Sequence, residues 1–177
     1  MKTYLVTGAA GFIGANFVKY MLKKYGDIAI VILDKLTYAG NLGTIKEELK
    51  DSRVEFVRGD IANAELVSNI FARREIDYVV NFAAESHVDR SITNPQLFLQ
   101  TNILGTQNML ECAKKAWTTG KDDKGYPTYL PGKKFFTFGE RYVYRRERSC
   151  LNKLLLVCSH FVHIKPFEPP KGGSNYR

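Results

Sequence analysis

The sequence predicts an α/β fold: a truncated, doubly wound parallel sheet of about five strands, followed by an irregular carboxyl-terminal tail. Short apolar runs of strand length alternate with segments whose apolar residues recur at helical spacing. A glycine-rich turn joins the first strand to the first helix. The 177 residues are 45% hydrophobic and 25% charged, which is typical of a globular domain. We expect the domain at residues 1–138 and the tail at residues 139–177.

The predicted elements follow one another in the order that a parallel sheet requires. Predicted strands cover residues 1–7, 28–33, 54–57, 77–82 and 135–138. Predicted helices cover residues 13–25, a segment that begins at Asn63, and residues 94–117. Pro95 suits the first turn of the third helix, where no backbone N–H is needed. Residues 118–134 are rich in glycine, proline and charge, so we expect a loop there.

The formal charge of +8 is concentrated near the carboxyl end. Residues 1–134 carry 18 Lys and Arg against 15 Asp and Glu, whereas residues 135–177 carry 8 against 3. We therefore expect no nucleic-acid partner. No apolar run reaches about 18 residues, so no membrane span is expected. Three cysteines, an odd and low number, favour a cytoplasmic location.

The turn Gly8-Ala9-Ala10-Gly11-Phe12-Ile13-Gly14 follows a strand and opens a helix. Its glycines allow a tight turn and a close approach of the backbone to a pyrophosphate. The helix N-terminus then offers free N–H groups to the phosphates. In this context the motif indicates a dinucleotide-binding Rossmann sheet, with Gly8, Gly11 and Gly14 at the cofactor.

Two carboxylates end the second and third strands. Asp34 lies 20 positions after Gly14, where this fold places the carboxylate that accepts hydrogen bonds from the adenosine ribose. A carboxylate there repels a 2′-phosphate and so favours NAD over NADP, although the adjacent Lys35 weakens that inference. Asp60, followed by Ile61, is placed either for a contact with adenine or as a helix cap.

A polar cluster, residues 81–91, follows the fourth strand. The small residues Ala83 and Ala84 leave room for a flat cofactor. His87 is a candidate general base, but a histidine with a purely structural role fits the sequence better. No set of metal ligands is expected in this cluster.

Several segments together resemble the dTDP-glucose 4,6-dehydratases, members of the extended short-chain dehydrogenase/reductase superfamily. They are TGAAGFIGANF, DKLTYAGN, VRGDI, NFAAESHVDRSI, LQTNILGTQNMLECA and GKDDKGYPTYLPGKKF. The resemblance covers about residues 1–136, and the second, fourth and last segments separate the chain from nucleotide-sugar epimerases. It implies a lyase that converts dTDP-glucose to dTDP-4-keto-6-deoxyglucose in deoxysugar biosynthesis, with NAD as a cofactor that is reduced and then regenerated. It also implies a homodimer.

The resemblance implies a role for individual residues. Phe12 and Ile13 would lie on the pyrophosphate, and Asp34, Lys35, Leu36 and Thr37 would surround the ribose. Asp60 and Ile61 would meet adenine. Phe82, Ala83, Ala84 and Ser86 would line the nicotinamide half, Thr101 would also contact NAD, and Glu85 or Ser86 would lie near the hexose of the substrate.

The resemblance fails where the catalytic residues should follow. The family's fifth strand ends in Ser-Thr-Asp-Glu-Val-Tyr-Gly, but here Arg141 and Tyr142 stand where the Asp and Glu belong. The family's Tyr-x-x-x-Lys pair has no counterpart after residue 140. Two matches to the spacing occur earlier and are rejected. Tyr20/Lys24 lies on the first predicted helix, away from the carboxyl ends of the strands, and Tyr129/Lys133 lies in a Pro-Gly loop that cannot hold helical spacing. We therefore assign no catalytic residue, and a shifted reading frame would explain the tail.

The tail allows two further interpretations, both weaker. Cys150, Cys158, His160 and His163 could bind zinc, although the spacing matches no familiar module. The arginines of residues 141–148 could contact phosphate. The main prediction is that the sequence derives from a dTDP-glucose 4,6-dehydratase and that this chain of 177 residues has no dehydratase activity. The alternatives are a non-catalytic NAD-binding or interaction protein and a nucleotide-sugar epimerase.

Overall fold

The computed structural model describes residues 1–138. The strands are β1 (Lys2–Thr7), β2 (Ile28–Asp34), β3 (Val54–Arg58), β4 (Tyr78–Asn81), β5 (Thr118–Lys121), β6 (Pro127–Tyr129) and β7 (Lys134–Thr137). The α-helices are α1 (Phe12–Lys24), α2 (Ala64–Arg73), α3 (Val88–Thr93), α4 (Pro95–Phe98) and α5 (Thr106–Trp117). Short 3₁₀ turns at Leu42–Ile45 and Glu48–Lys50 lie between β2 and β3.

Five parallel strands form the main sheet, in the order β3-β2-β1-β4-β7. The predicted fold class is therefore confirmed. The chain builds outward from β1 to β3 and then returns to the other side of β1 at β4. This reversal leaves a crevice beyond the carboxyl ends of β1 and β4, which is where such sheets bind ligands.

Both faces of the sheet are covered by apolar packing. On one face Val18 and Met21 of α1 pack with Val6 and Ile32 of the sheet. On the other face α2 and α5 pack against a second cluster that includes Leu5 and Leu33. Because successive residues of a strand point to opposite faces, the continuous apolar run of β2 supplies both clusters.

The predicted helix over residues 94–117 is continuous in space but not uniform. Asn94 caps its start by accepting a hydrogen bond from the Leu97 N–H at 3.3 Å, and Pro95 occupies the first turn as expected. Between α4 and α5, Leu99–Gly105 forms a π-helix. Wider turns of this kind often occur at functional sites, and this one adjoins the crevice.

The loop predicted for residues 118–134 is wrong in part, because β5 and β6 pair as an antiparallel hairpin. Gly125 supplies the left-handed turn with φ +83°. The Asp122 carboxylate accepts hydrogen bonds from the Lys124 and Tyr126 N–H groups, both at 2.9 Å, and so closes the turn. Tyr129 anchors the hairpin to the apolar cluster beneath α5. The sequence correctly predicted a turn in this segment but not the two strands that the turn joins.

A charged cluster lies at the amino end of β4 and β7. Lys133, with a side chain only 6% exposed, places its Nζ 3.1 Å from Asp77 Oδ1. The same carboxylate accepts from Lys2 Nζ at 3.2 Å and from the Thr3 N–H at 2.9 Å. Asp77 therefore ties β1 and β4 to the segment that leads into β7.

Trp117 ends α5 within the core beneath the sheet. It is 3% exposed, and its ring lies edge-on to Phe71. The indole Nε1–H donates to the Ile76 carbonyl oxygen at 2.9 Å. No helix among residues 1–138 is long and apolar enough to cross a membrane.

Candidate functional site

The glycine turn closes over the carboxyl end of β1. Gly8 has φ +65°, and a Cβ there would lie 2.7 Å from the Ala83 backbone nitrogen. A Cβ at Gly14 would lie 2.4 Å from the Gly8 carbonyl oxygen. Packing between backbone segments therefore requires both glycines. A Cβ at Gly11 would instead meet only the Gly8 oxygen, at 3.3 Å, and Gly11 presents its open side to the crevice.

The N-terminus of α1 lies beside this turn. Its cap residue is Gly11, which has no side chain to accept a hydrogen bond, and the first turn contains no acidic residue. By contrast, Asn63 caps α2 by accepting from the Leu66 N–H at 3.0 Å. The first N–H groups of a helix need an acceptor and carry a partial positive charge. A pyrophosphate in the crevice would supply that acceptor.

Asp34 ends β2 and is almost fully buried, at 8% exposed. Its two carboxylate oxygens accept hydrogen bonds from the Ala10 N–H at 2.9 Å and the Leu36 N–H at 2.8 Å. These bonds fix the orientation of the carboxylate and leave further lone pairs for a ligand hydroxyl. Leu36 adopts φ +57°, which turns the chain around this carboxylate.

Lys35 and Asp60 form an ion pair at the same end of the crevice. Lys35 Nζ lies 2.6 Å from Asp60 Oδ2, and Asp60 Oδ1 accepts from the Ala62 N–H at 2.9 Å. Partial burial acts to raise the pKa of Asp60, but the bonds from Lys35 and Ala62 outweigh it, so the pKa is lowered overall. Asp60 is therefore a fixed anion at neutral pH.

Polar side chains connect the carboxyl ends of β1, β4 and β7. The Thr7 hydroxyl donates to Asn81 Oδ1, and the Ala83 N–H donates to Thr7 Oγ1 at 3.2 Å. Asn81 Nδ2 in turn lies 3.3 Å from the hydroxyls of both Thr106 and Thr137. This network fixes the path of the chain as it leaves β4 and passes along the crevice.

Glu85 lies at the far end of that path. Asn102, in the π-helix, accepts from the Glu85 N–H at 2.8 Å and donates to the Glu85 carbonyl oxygen at 2.9 Å. The Glu85 side chain is 5% exposed, and its Oε2 has no hydrogen-bond partner among the described residues. Arg90 Nη1 approaches to 3.9 Å. Glu85 is among the residues that line the crevice, and a buried carboxylate oxygen that lacks a bond suits a hydroxyl donor.

The crevice brings together most of the residues predicted from the sequence. Those that line it are Gly8, Gly11, Asp34, Lys35, Thr37, Asp60, Ile61, Phe82, Ala83, Ala84, Glu85 and Thr101. Leu33, Ala39, Gly40 and Gly59 also line it but were not predicted. Gly40 and Gly59 stand inside the motifs DKLTYAGN and VRGDI, so those motifs already contained the signal.

Other predicted residues lie outside the crevice lining. Phe12, Ile13 and Ser86 are exposed. Gly14 packs against the Gly8 backbone, and Leu36 packs against the apolar cluster that includes Val18. Their contacts with a cofactor remain predictions. His87 is exposed, and its ring lies edge-on to Tyr38. Neither residue is among those that line the crevice.

Asn102 was missed from the sequence. Its role depends on the π-helix, which turns the amide toward the backbone at Glu85. A helix predicted from periodicity alone carries no sign of such a wider turn.

Neither Tyr-x-x-x-Lys match lies at the crevice. Tyr20/Lys24 lies away from the carboxyl ends of the strands, as expected, and Tyr129/Lys133 runs from the end of β6 toward β7, outside any helix, as expected. Lys24 Nζ does donate to Tyr20 Oη at 2.6 Å, but the two residues lie in the last turns of α1, near the amino ends of the strands. Lys133 belongs to the charged cluster around Asp77, which also lies at the amino ends of the strands. The predictions for residues 139–177 lie outside the described residues. They concern Arg141, Tyr142, the arginines of residues 141–148 and the possible zinc ligands Cys150, Cys158, His160 and His163.

Comparison with known proteins identifies the fold and its motifs. A family model described as GDP-mannose 4,6 dehydratase matches residues 5–128. The chain belongs to this family. A dTDP-glucose 4,6-dehydratase from Shigella flexneri is 47% identical over 120 residues, which is 68% of this chain and 33% of that protein. The resemblance to the dTDP-glucose 4,6-dehydratases is thereby confirmed.

Solved structures of the family agree. A Bacillus anthracis dTDP-glucose 4,6-dehydratase in complex with NAD superposes with a TM-score of 0.63 and 36% identity, over 78% of this chain and 37% of that chain. DesIV, a dTDP-glucose 4,6-dehydratase from Streptomyces venezuelae with NAD and TYD bound, superposes with a TM-score of 0.60 and 45% sequence identity. The match covers 64% of this chain and 36% of that chain. The chain spans about a third of the length of the curated dehydratases that it matches.

Proposed function

We propose that residues 1–138 form the NAD-binding part of a dTDP-glucose 4,6-dehydratase. The observation that carries the proposal is the convergence on one crevice of the glycine turn, the uncapped N-terminus of α1 and the Asp34 carboxylate. The solved relatives with NAD bound support the same cofactor. A homodimer, which the resemblance implies, and a cytoplasmic location, which the low cysteine count favours, belong to the same proposal.

The residues present fit NAD from end to end. The Asp34 carboxylate would accept from the ribose hydroxyls, and the N–H groups at the start of α1 would bind the pyrophosphate. Ala83 and Ala84 would leave space for the nicotinamide, which supplies hydride acceptance when bound. The substrate in this proposal is dTDP-glucose. Glu85 would accept a hydrogen bond from a hydroxyl of its hexose, because Glu85 lines the crevice and its Oε2 has no hydrogen-bond partner among the described residues.

The NAD assignment is tested at Asp34. We expect Asp34→Asn to weaken NAD binding about 30-fold or more, because charge-assisted hydrogen bonds to both ribose hydroxyls are weakened. Asp27→Asn is the matched control: Asp27 is exposed just before β2, at the opposite end of the same strand. Isothermal titration calorimetry with NAD measures both variants. Equal affinities for the two variants would refute the role of Asp34.

We further propose that the 177 residues do not by themselves catalyse dehydration. The support lies in the sequence, where Arg141 and Tyr142 occupy the positions of the family's Asp and Glu. Arginine stays protonated, and tyrosine ordinarily has a pKa near 10, so neither replaces those carboxyl groups.

A turnover assay tests this second proposal. Purified protein, NAD and dTDP-glucose should give no 4-keto-6-deoxy product above background. A dehydratase from the family serves as the positive control. Measurable product would show that the chain is catalytic, and interconversion of UDP-glucose with UDP-galactose would instead favour the epimerase alternative. DNA sequencing across codons 130–177 would then show whether a shifted reading frame accounts for residues 139–177.

A further inference from the structure

Three charged side chains line the adenosine end of the crevice. Asp34 and Asp60 carry negative charge and Lys35 carries positive charge. Lys35 directly follows Asp34 at the end of β2 and is therefore placed to reach any group attached to the ribose that Asp34 would bind. Of these three side chains, Lys35 is the one whose charge would attract an added phosphate.

Asp60 is the rigid member of the pair. Its carboxylate accepts from the Ala62 N–H, and its own carbonyl oxygen accepts from the Asn63 N–H at 3.0 Å. The preceding Gly59 N–H donates to the Asp34 carbonyl oxygen at 3.0 Å, so the ends of β2 and β3 are fixed to each other. Lys35, on a flexible four-carbon stem, adapts to this fixed carboxylate.

The ion pair changes the chemistry open to the ligand. NADP differs from NAD by a 2′-phosphate, whose negative charges require a cation at the ribose. Lys35 is the cation that lines the crevice among the described residues, but its ammonium is held 2.6 Å from Asp60. With the pair intact, the three groups sum to one negative charge beside the ribose.

We propose that Asp60 is a specificity-determining residue that makes the crevice select NAD over NADP by holding Lys35 away from a 2′-phosphate. The inference rests on the proposed function, since it requires that the crevice bind a dinucleotide. It adds to that function a second discriminating carboxylate, which acts through Lys35 rather than by touching the 2′ position.

The test is a cycle of variants titrated with NAD and with NADP. Asp60→Asn keeps the shape of the side chain and an acceptor for the Ala62 N–H, but it removes the charge that restrains Lys35. We expect the ratio of NADP affinity to NAD affinity to rise at least tenfold, and the rise to shrink at high salt because the new contact is ionic. The double variant Asp60→Asn/Lys35→Met should lose the gain.

The double variant also separates Lys35 from Arg58, which stands opposite Asp34 in the register of β2 and β3. Asp51→Asn is the matched control, because Asp51 forms a similar pair with Arg53 at 2.7 Å before β3 begins, far from the crevice. It should keep the wild-type ratio. Asp60→Ser provides a second variant without the charge should Asp60→Asn fold poorly.

The possible results are distinct. Wild-type protein that binds NAD, together with an unchanged ratio in both Asp60 variants, overturns the specificity inference and leaves the proposed function intact. A gain that survives Lys35→Met overturns it as well. Wild-type protein that binds neither dinucleotide overturns both proposals.

Discussion

Replacing Gly8 by alanine should cost about 3 kcal/mol of folding stability and abolish measurable NAD binding. The left-handed backbone, φ +65°, costs a residue with a Cβ about 1–2 kcal/mol. The new methyl group would also lie 2.7 Å from the Ala83 backbone nitrogen and 2.8 Å from the Phe82 carbonyl carbon. Backbone atoms cannot rotate away, so β1 and β4 must separate at the crevice. Urea denaturation and NAD titration measure the two effects.

Two other glycines separate strain from contact. Gly132 also has a left-handed backbone, φ +79°, but a Cβ there would meet nothing within 4 Å. Gly132→Ala should therefore cost only the conformational strain, about 1 kcal/mol. Gly26 has open space and no left-handed backbone, so Gly26→Ala should change stability by less than about 0.5 kcal/mol. If Gly8→Ala costs no more than Gly132→Ala, the close approach to Ala83 is not what requires a glycine.

Replacing Asp77 by alanine should destabilise the fold by about 3 kcal/mol. The carboxylate is the partner of the buried Lys133 ammonium, the Lys2 ammonium and the Thr3 N–H. Without Asp77, the buried Lys133 ammonium keeps only the exposed Glu75 carboxylate as a partner. Removing one member of a buried pair costs more than the pair itself contributes. Glu75→Ala is the control, because Glu75 bonds the same lysine at 3.3 Å but is itself 88% exposed. An exposed pair of this kind contributes little.

The effect of Asp77 should depend on pH. Burial acts to raise the pKa of Asp77, but the Thr3 N–H and the two lysines outweigh it, so the pKa is lowered in the folded protein. The unfolded chain then binds the proton more readily, and the contribution of Asp77 is present at neutral pH and lost as the pH falls below about 4. The stability difference between wild type and Asp77→Ala should narrow from pH 7 to about pH 3. A difference that stays constant would show that the charge of Asp77 does not act.

The sequence predicted the parts of this fold that depend on local pattern. The apolar run of β2, the helix starts at Asn63 and Asn94, and the spacing from Gly14 to Asp34 each specify one element or one strand end. Their positions fix the crevice because parallel strands place all their carboxyl ends at one edge. The hairpin of residues 118–129 was missed, since its strands are short and mostly exposed and carry no alternating pattern.

The candidate site was likewise predicted only where its residues are specified by local spacing. Asp34 was predicted from its distance to a motif, which depends only on the chain. The ion pair between Lys35 and Asp60 joins residues 25 positions apart. The hydrogen bonds between the Asn102 amide and the Glu85 backbone depend on a π-helix. Neither contact follows from periodicity or spacing. Both arise from the way separate strand and helix ends meet in space.

Trp117 gives this protein a built-in optical reporter. It is the single tryptophan of the sequence, so all indole fluorescence comes from one known place. Its ring is shielded from water and its N–H is bonded to the backbone just before β4. Emission should therefore shift to longer wavelength when solvent reaches the indole. That colour change follows the loss of contact between α5 and the central sheet, without a label and without light from any other tryptophan.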